Sequence, residues 1–132
     1  MKNTKLIAAL CLFSALLYLN ACSTDEGEGG MALITGKIFV QDYNSSGILK
    51  GEYYAPDEDV YIIYGDDPVY GDVMKTHFDG TYRFDYLRKG NYTIFAYSDC
   101  DTCMSGVRPV LLSAEITAGD QVLELPDIVL RK

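Results

Sequence analysis

Tryptophan is absent from this chain, histidine occurs once, at position 77, and cysteine and proline occur four times each. A lone imidazole rules out the multi-histidine ligand sets on which most zinc chemistry depends. Nor do His77, Asp79 and Ser113 make a nucleophilic triad by their sequence alone; His77 reads as an outward-facing strand residue. Basic residues are also scarce, 11 Lys and Arg against 19 Asp and Glu, for a formal net charge of −8. A polyanion would be repelled over most of such a surface, so nucleic acid is excluded as a partner. Long apolar runs are limited to Leu6–Leu19, which is too short for a comfortable membrane span.

That run is preceded by Lys2 and Lys5 and ends in Leu19-Asn20-Ala21-Cys22. The arrangement of a basic start, an apolar centre and a small-residue cysteine site resembles a bacterial lipoprotein signal peptide. The resemblance implies that residues 1–21 are removed and that Cys22 becomes the lipidated first residue. Cleavage takes Lys2 and Lys5 and no acidic residue, so the mature chain is more acidic still. Its acidity argues against peripheral binding to anionic lipid, which leaves the acyl chains as the membrane attachment. Residues 22–30 continue as Ser, Thr, Asp, Glu and Gly with nothing to bury, the composition of a flexible tether. Asp25, Glu26 and Glu28 just after the cysteine resemble the surface-export signal of lipoproteins in Bacteroidetes-type bacteria. Ser23 in place of aspartate also fails to match the inner-membrane retention rule of enteric bacteria. The expected location is the outer membrane, lipid-anchored and exposed at the cell surface.

With Cys11 in the leader and Cys22 acylated, Cys100 and Cys103 are the remaining thiols. Outside the cytoplasm such a pair is expected to form a disulfide closing its own loop. A redox centre of the same spacing would open a helix after a strand, and no helical pattern follows Cys103. Zinc would require further ligands beyond His77.

Residues 31–132 carry strand signals throughout. Leu33 to Val40 is apolar and β-branched, and Val60, Ile62 and Tyr64 alternate with Tyr61 and Ile63. Val73 to Phe78 leads into Asp79-Gly80, a hairpin signal, followed by Tyr82 and Phe84 at period two. Tyr92, Ile94 and Ala96 share a face, Val107 to Thr117 reaches a turn at Ala118-Gly119-Asp120, and Val122 to Leu130 closes the chain. Seven short strands of this kind predict a β-sandwich of one domain. Pro126 marks an edge or a bulge in the last of them.

The stretch Asp79-Gly80-Thr81-Tyr82-Arg83-Phe84-Asp85-Tyr86-Leu87-Arg88-Lys89-Gly90-Asn91-Tyr92-Thr93-Ile94 resembles the signature of carboxypeptidase regulatory-like domains. Thr35-Gly36-Lys37-Ile38 fits that family's first strand, and Ile116 to Leu130 its final hairpin. The resemblance implies a transthyretin-like (prealbumin-like) sandwich of Ig-like kind in which Gly80 and Gly90 permit turns and Tyr82, Phe84, Leu87, Tyr92 and Ile94 build the core. It implies no activity, since the family is named for accessory domains beside zinc carboxypeptidases and no catalytic zinc motif is present.

The departure from that pattern is the connection Gln41 to Asp59, long for a compact domain and of the kind that is often functional. If the strands run the length of the sandwich, this connection, the Asp79-Gly80 turn and the Ser98–Gly106 loop gather at the end away from the tether. The candidate ligand-binding residues there are Tyr43, Tyr53, Tyr54, Asp57 and Asp59, with Asp42, Asp79, Asp99 and Asp101 nearby. Tyrosines among carboxylates suit stacking on sugar rings; the carboxylates with backbone oxygens suit calcium; and the same residues also suit a solvated rim over the core. No other cofactor is implied. Paired carboxylates without a deep cleft do not make a glycosidase. Lys37 and Asp127, on first and last strands, have the positions of an intramolecular isopeptide pair, but the middle-strand carboxylate that assists such a bond is not evident. The resulting expectation is a noncatalytic lipoprotein acting as an interaction or scaffold module toward a protein or glycan partner, with a glycan-binding accessory of a nutrient-uptake system as the alternative.

Overall fold

A computed structural model describes residues 25–132. Residues 1–24, on which the expected leader and the expected lipidation site Cys22 fall, lie outside the described residues. Among those described, every regular element is a strand. The strands are β1 (Glu28–Tyr43), β2 (Leu49–Tyr54), β3 (Asp59–Tyr64), β4 (Asp72–Lys75), β5 (Thr81–Leu87), β6 (Gly90–Asp99), β7 (Val107–Ile116), β8 (Val122–Glu124) and β9 (Ile128–Arg131). They form two sheets in a sandwich-like arrangement, one of five strands around β1 and one in the order β4-β3-β6-β7.

β1 is the axis of the first sheet. Along one edge it pairs antiparallel with β5 through Ile34–Lys37 and then with β2 through Phe39–Tyr43. The handover falls at Ile38, whose N–H donates to the Gly80 carbonyl and whose carbonyl accepts from the Ala55 N–H. Along the other edge β8 and β9 lie parallel to β1, at Leu33–Thr35 and Ile38–Gln41. The nine segments therefore stand in three rows on one side and four on the other.

Nine strands appear where the sequence predicts seven, for two reasons. The connection Gln41–Asp59 is not structureless: it holds β2, in a hairpin whose Asn44 Oδ1 accepts the N–H groups of Ser46 and Ile48. The run Val122–Leu130 is broken at Leu125–Asp127, where Pro126 has no N–H to offer a ladder.

Alternation builds the core. In β1, Ala32, Ile34, Gly36, Ile38 and Val40 are buried and the residues between them are not. They meet Val60 and Ile62 of β3, Tyr82, Phe84 and Leu87 of β5, Tyr92, Ile94 and Ala96 of β6, Ile116 of β7, and Ile128 and Leu130 of β9. Each large side chain among them stabilises the fold by about 1.5–3 kcal/mol through apolar burial. Gly36 is bare because the Tyr82 ring crosses it, leaving no room for a side chain. Gly80 sits at φ 79°, a turn conformation that L side chains resist. At the far end Ser98 is buried, accepting the Arg131 N–H at 2.8 Å and so tying β6 to β9 across the sandwich.

Composition assigns Glu26–Gly30 to the tether, but these residues dock on the body. The Gly27 N–H donates to Tyr92 Oη at 3.0 Å, the Arg88 N–H donates to the Gly27 carbonyl at 2.9 Å, and Glu28 pairs with Leu87. The Glu26 carboxylate accepts the Asn91 N–H at 3.3 Å. Backbone groups make most of these bonds, and backbone bonding leaves no trace in side-chain composition.

Candidate functional site

β3 and β6 are apolar on both faces. Val60 and Ile62, and Ile94 and Ala96, point inward, which turns Tyr61, Phe95 and Tyr97 to the outside of the four-stranded sheet. The register lines them up across the strands. Val73 of β4 stands opposite Tyr61, Tyr61 opposite Phe95, and Phe95 opposite Leu111 of β7, while Tyr97 faces Pro109.

The rings form one assembly. Tyr61 stacks on Phe95 with centroids 4.9 Å apart and planes 13° from parallel. Tyr70, from the β3–β4 connection, meets Tyr61 edge-on at 5.0 Å, and Tyr97 meets both Tyr61 and Phe95 at 5.6 Å. Such contacts hold rings in fixed orientation beyond what area burial does. Phe95 is covered by its neighbours, whereas Tyr70, Tyr97 and Leu111 remain 51%, 42% and 56% exposed. At the rim Lys75 pairs with Asp59 at 3.0 Å, and the hydrogen bond that the ammonium donates to the Asp59 carboxylate raises the Lys75 pKa, keeping it charged. Burial, and then the Asp59 carboxylate, raise the Tyr61 pKa, so its hydroxyl is a neutral donor and acceptor. The face thus offers flat apolar area edged by phenols and an ion pair.

The residues singled out in the sequence are dispersed. Tyr43 lies under the Arg131 guanidinium at 4.6 Å, at the distal end. Tyr53 and Tyr54 are neighbours in an extended strand and so alternate in direction. Tyr54 packs edge-on against Phe39 at 5.3 Å and donates to Asp127 at 2.9 Å, which raises its pKa. Asp57 occupies a turn at φ 59°. Asp59 alone of the five reaches the aromatic face. Lys37 and Asp127 are separated by Tyr54, with Lys37 4.8 Å above its ring and Asp127 on its hydroxyl. His77 does not extend a strand: its backbone closes the turn to Gly80 and Thr81, and it is exposed.

The expected gathering at the distal end holds in part. Tyr43, Asn44, Asp99, Asp101, Arg131 and Lys132 line a polar cavity of about 340 Å³. Its cations are already engaged, Arg131 by Asp101 at 3.5 Å and Lys132 by Glu58 at 3.0 Å. The Asp79-Gly80 turn lies beside Ala55 and Ile38, midway along β1, and not in this cavity. Cys100 and Cys103 are joined in a disulfide at its border. Among the described residues no three acidic, histidine or cysteine side chains converge as a metal site, so the calcium expectation gains no ligand set.

The aromatic face was legible in one respect. A strand that is apolar at odd and even positions alike must be covered on both sides or must display one of them. What the sequence does not contain is the register that brings Tyr61, Phe95 and Tyr97 together.

A scan against protein-family models finds no match, and a search of curated proteins finds none. Among solved structures, the chain is similar to the crystal structure of a candidate carbohydrate-binding protein from Pseudomonas aeruginosa. The identity is 14% and the TM-score 0.44, covering 83% of this chain and 93% of that one.

Proposed function

We propose that this chain is a noncatalytic, lipid-anchored module of the bacterial outer surface that holds a glycan against the outer face of its four-stranded sheet. The observation that carries the reading is the ring assembly of Tyr61, Tyr70, Phe95 and Tyr97. A sugar ring presents an apolar C–H face and an equatorial fringe of hydroxyls. The first stacks on tyrosine, and the second bonds phenols, Asp59 and Lys75. Anchoring through Cys22 is supported by Lys2, Lys5 and the Leu6–Leu19 run before it. Membership of the carboxypeptidase regulatory-like family is supported by the burial of Tyr82, Phe84, Leu87, Tyr92 and Ile94 and by the positive φ of Gly80.

The test is an array of polysaccharides probed with the mature protein, followed by titration of the best binder. Tyr61→Ala and Tyr97→Ala are each expected to weaken binding at least tenfold, whereas Tyr54→Phe on the opposite sheet leaves it unchanged. The absence of any saturable glycan would replace this reading with a scaffold toward a protein partner. Cys22→Ser is expected to move the protein out of the detergent phase; unchanged partitioning would remove the lipid anchor.

A further inference from the structure

Between Phe84 and Leu87 two residues of β5, Asp85 and Tyr86, stand opposite the single residue Leu33 of β1. This is a β-bulge, and its left-handed position is one that glycine normally fills. Here Tyr86 fills it, at φ 60° and 73% exposed. A tyrosine in that conformation is strained, and a ring so exposed recovers little of the strain by packing. The bulge instead aims the ring outward.

The ring borders a crevice of about 200 Å³ where the edges of the two sheets meet, lined also by Tyr64, Asp72, Met74, Arg83 and Asp85. Arg83 Nε donates to Asp85 Oδ1 at 2.7 Å. That bond uses one of five guanidinium donors and one carboxylate oxygen, which leaves hydrogen-bonding capacity on both partners. β4 is the wall between this crevice and the aromatic face. Val73 points to the face, opposite Tyr61, while its neighbours Asp72 and Met74 belong to the crevice. β4 is the edge strand of its sheet, so a single strand separates the crevice from the face.

The geometry points to a second sugar subsite at Tyr86, in which a glycan chain lying on Tyr61 and Tyr70 continues over β4 into the crevice, one further unit stacking on Tyr86 and bonding the Arg83–Asp85 pair. The ligand class is then an extended polysaccharide chain, not a short terminal epitope. The inference rests on the glycan reading of the aromatic face. Strain explains the residue choice: glycine would suit the backbone better and would present no ring.

Calorimetry on the mature chain tests this, with soluble starch, xylan, mixed-linkage glucan, mannan and pectin, each as intact polymer and as size-fractionated hydrolysate. Affinity is expected to rise with fragment length beyond that which covers the aromatic face. Tyr86→Gly should weaken the long fragments about tenfold, leave the short ones within twofold, and raise the melting temperature by relieving the left-handed position. Tyr86→Phe should bind like the parent. If Tyr86→Gly binds long fragments undiminished while Tyr61→Ala does not, the crevice is no subsite and the aromatic face stands alone. A lower melting temperature for Tyr86→Gly would show that the ring serves packing and would also overturn the proposal. If the parent protein binds none of these glycans, the aromatic-face reading and this one fall together.

Discussion

Two tyrosines in the sandwich are equally buried and differently housed. Tyr92, near the start of β6, spends its hydroxyl fully: it accepts the Gly27 N–H at 3.0 Å and donates to the Arg88 carbonyl at 2.8 Å. Tyr82, in β5, lies over Gly36 with its hydroxyl buried and without a hydrogen-bond partner among the described residues. The first is a polar fastener that carries an apolar ring. The second is an apolar ring with a polar burden. Shape and area are alike, so the comparison isolates what the hydroxyl does in each place.

The largest effect should hide the difference. Tyr82→Ala and Tyr92→Ala each remove a fully buried ring and are expected to cost about 3–5 kcal/mol in denaturant unfolding. That is a large fraction of the stability of any domain of this size. A loss below about 1 kcal/mol at either position would show that its ring is not in the core. Replacement by phenylalanine should then separate the pair in sign. Tyr92→Phe strands the Gly27 N–H and the Arg88 carbonyl and is expected to cost about 1–3 kcal/mol. Tyr82→Phe removes an unsatisfied buried hydroxyl and is expected to stabilise by about 1 kcal/mol. Equal losses at both would mean that Tyr82 has a partner after all.

The smallest effect is the alkaline one. Burial raises both phenol pKa values, for Tyr82 far above the ordinary range, while for Tyr92 the bonds to Gly27 and Arg88 work against the rise. An unfolded tyrosine ionises near pH 10. The folded chain therefore keeps protons that the unfolded chain releases. The contribution is whole below about pH 10 and is lost as pH climbs from there toward the folded values. Melting followed from pH 8 to 11 should flatten more in Tyr82→Phe than in Tyr92→Phe, and the reverse order would contradict the assigned environments.

Much of the fold is legible where burial imposes alternation. Leu33–Val40 and the Tyr92, Ile94, Ala96 series announce both their strands and their inner faces, because a pleated strand buries every second side chain. β2 announces nothing: Leu49–Tyr54 buries no side chain and is held by its ladder to β1. The docking of Glu26–Gly30 is equally silent, because Gly27 engages the body through its own N–H and carbonyl, which every residue type but proline carries. For the site, nearness in sequence misleads. Tyr53 and Tyr54 are adjacent and diverge, whereas Tyr61 and Phe95 are far apart in the chain and are brought ring to ring by an antiparallel register. Local pattern predicts which residues are inside; it does not predict which outside residues become neighbours.

The parallel pairing of β8 and β9 along β1 bears on when this sandwich can form. β1 is the central strand of its sheet, yet one of its edges is closed only by residues 122–131, some 80 or more positions away. Until residues 122–131 arrive, β1 keeps a row of unpaired N–H and C=O groups along that edge, and no local contact can substitute for them. Closing such distant partners is slow because the loop entropy is lost before the contacts repay it. The first strand in sequence is therefore the last to be paired on both edges, and closure of the sandwich waits on residues 122–131.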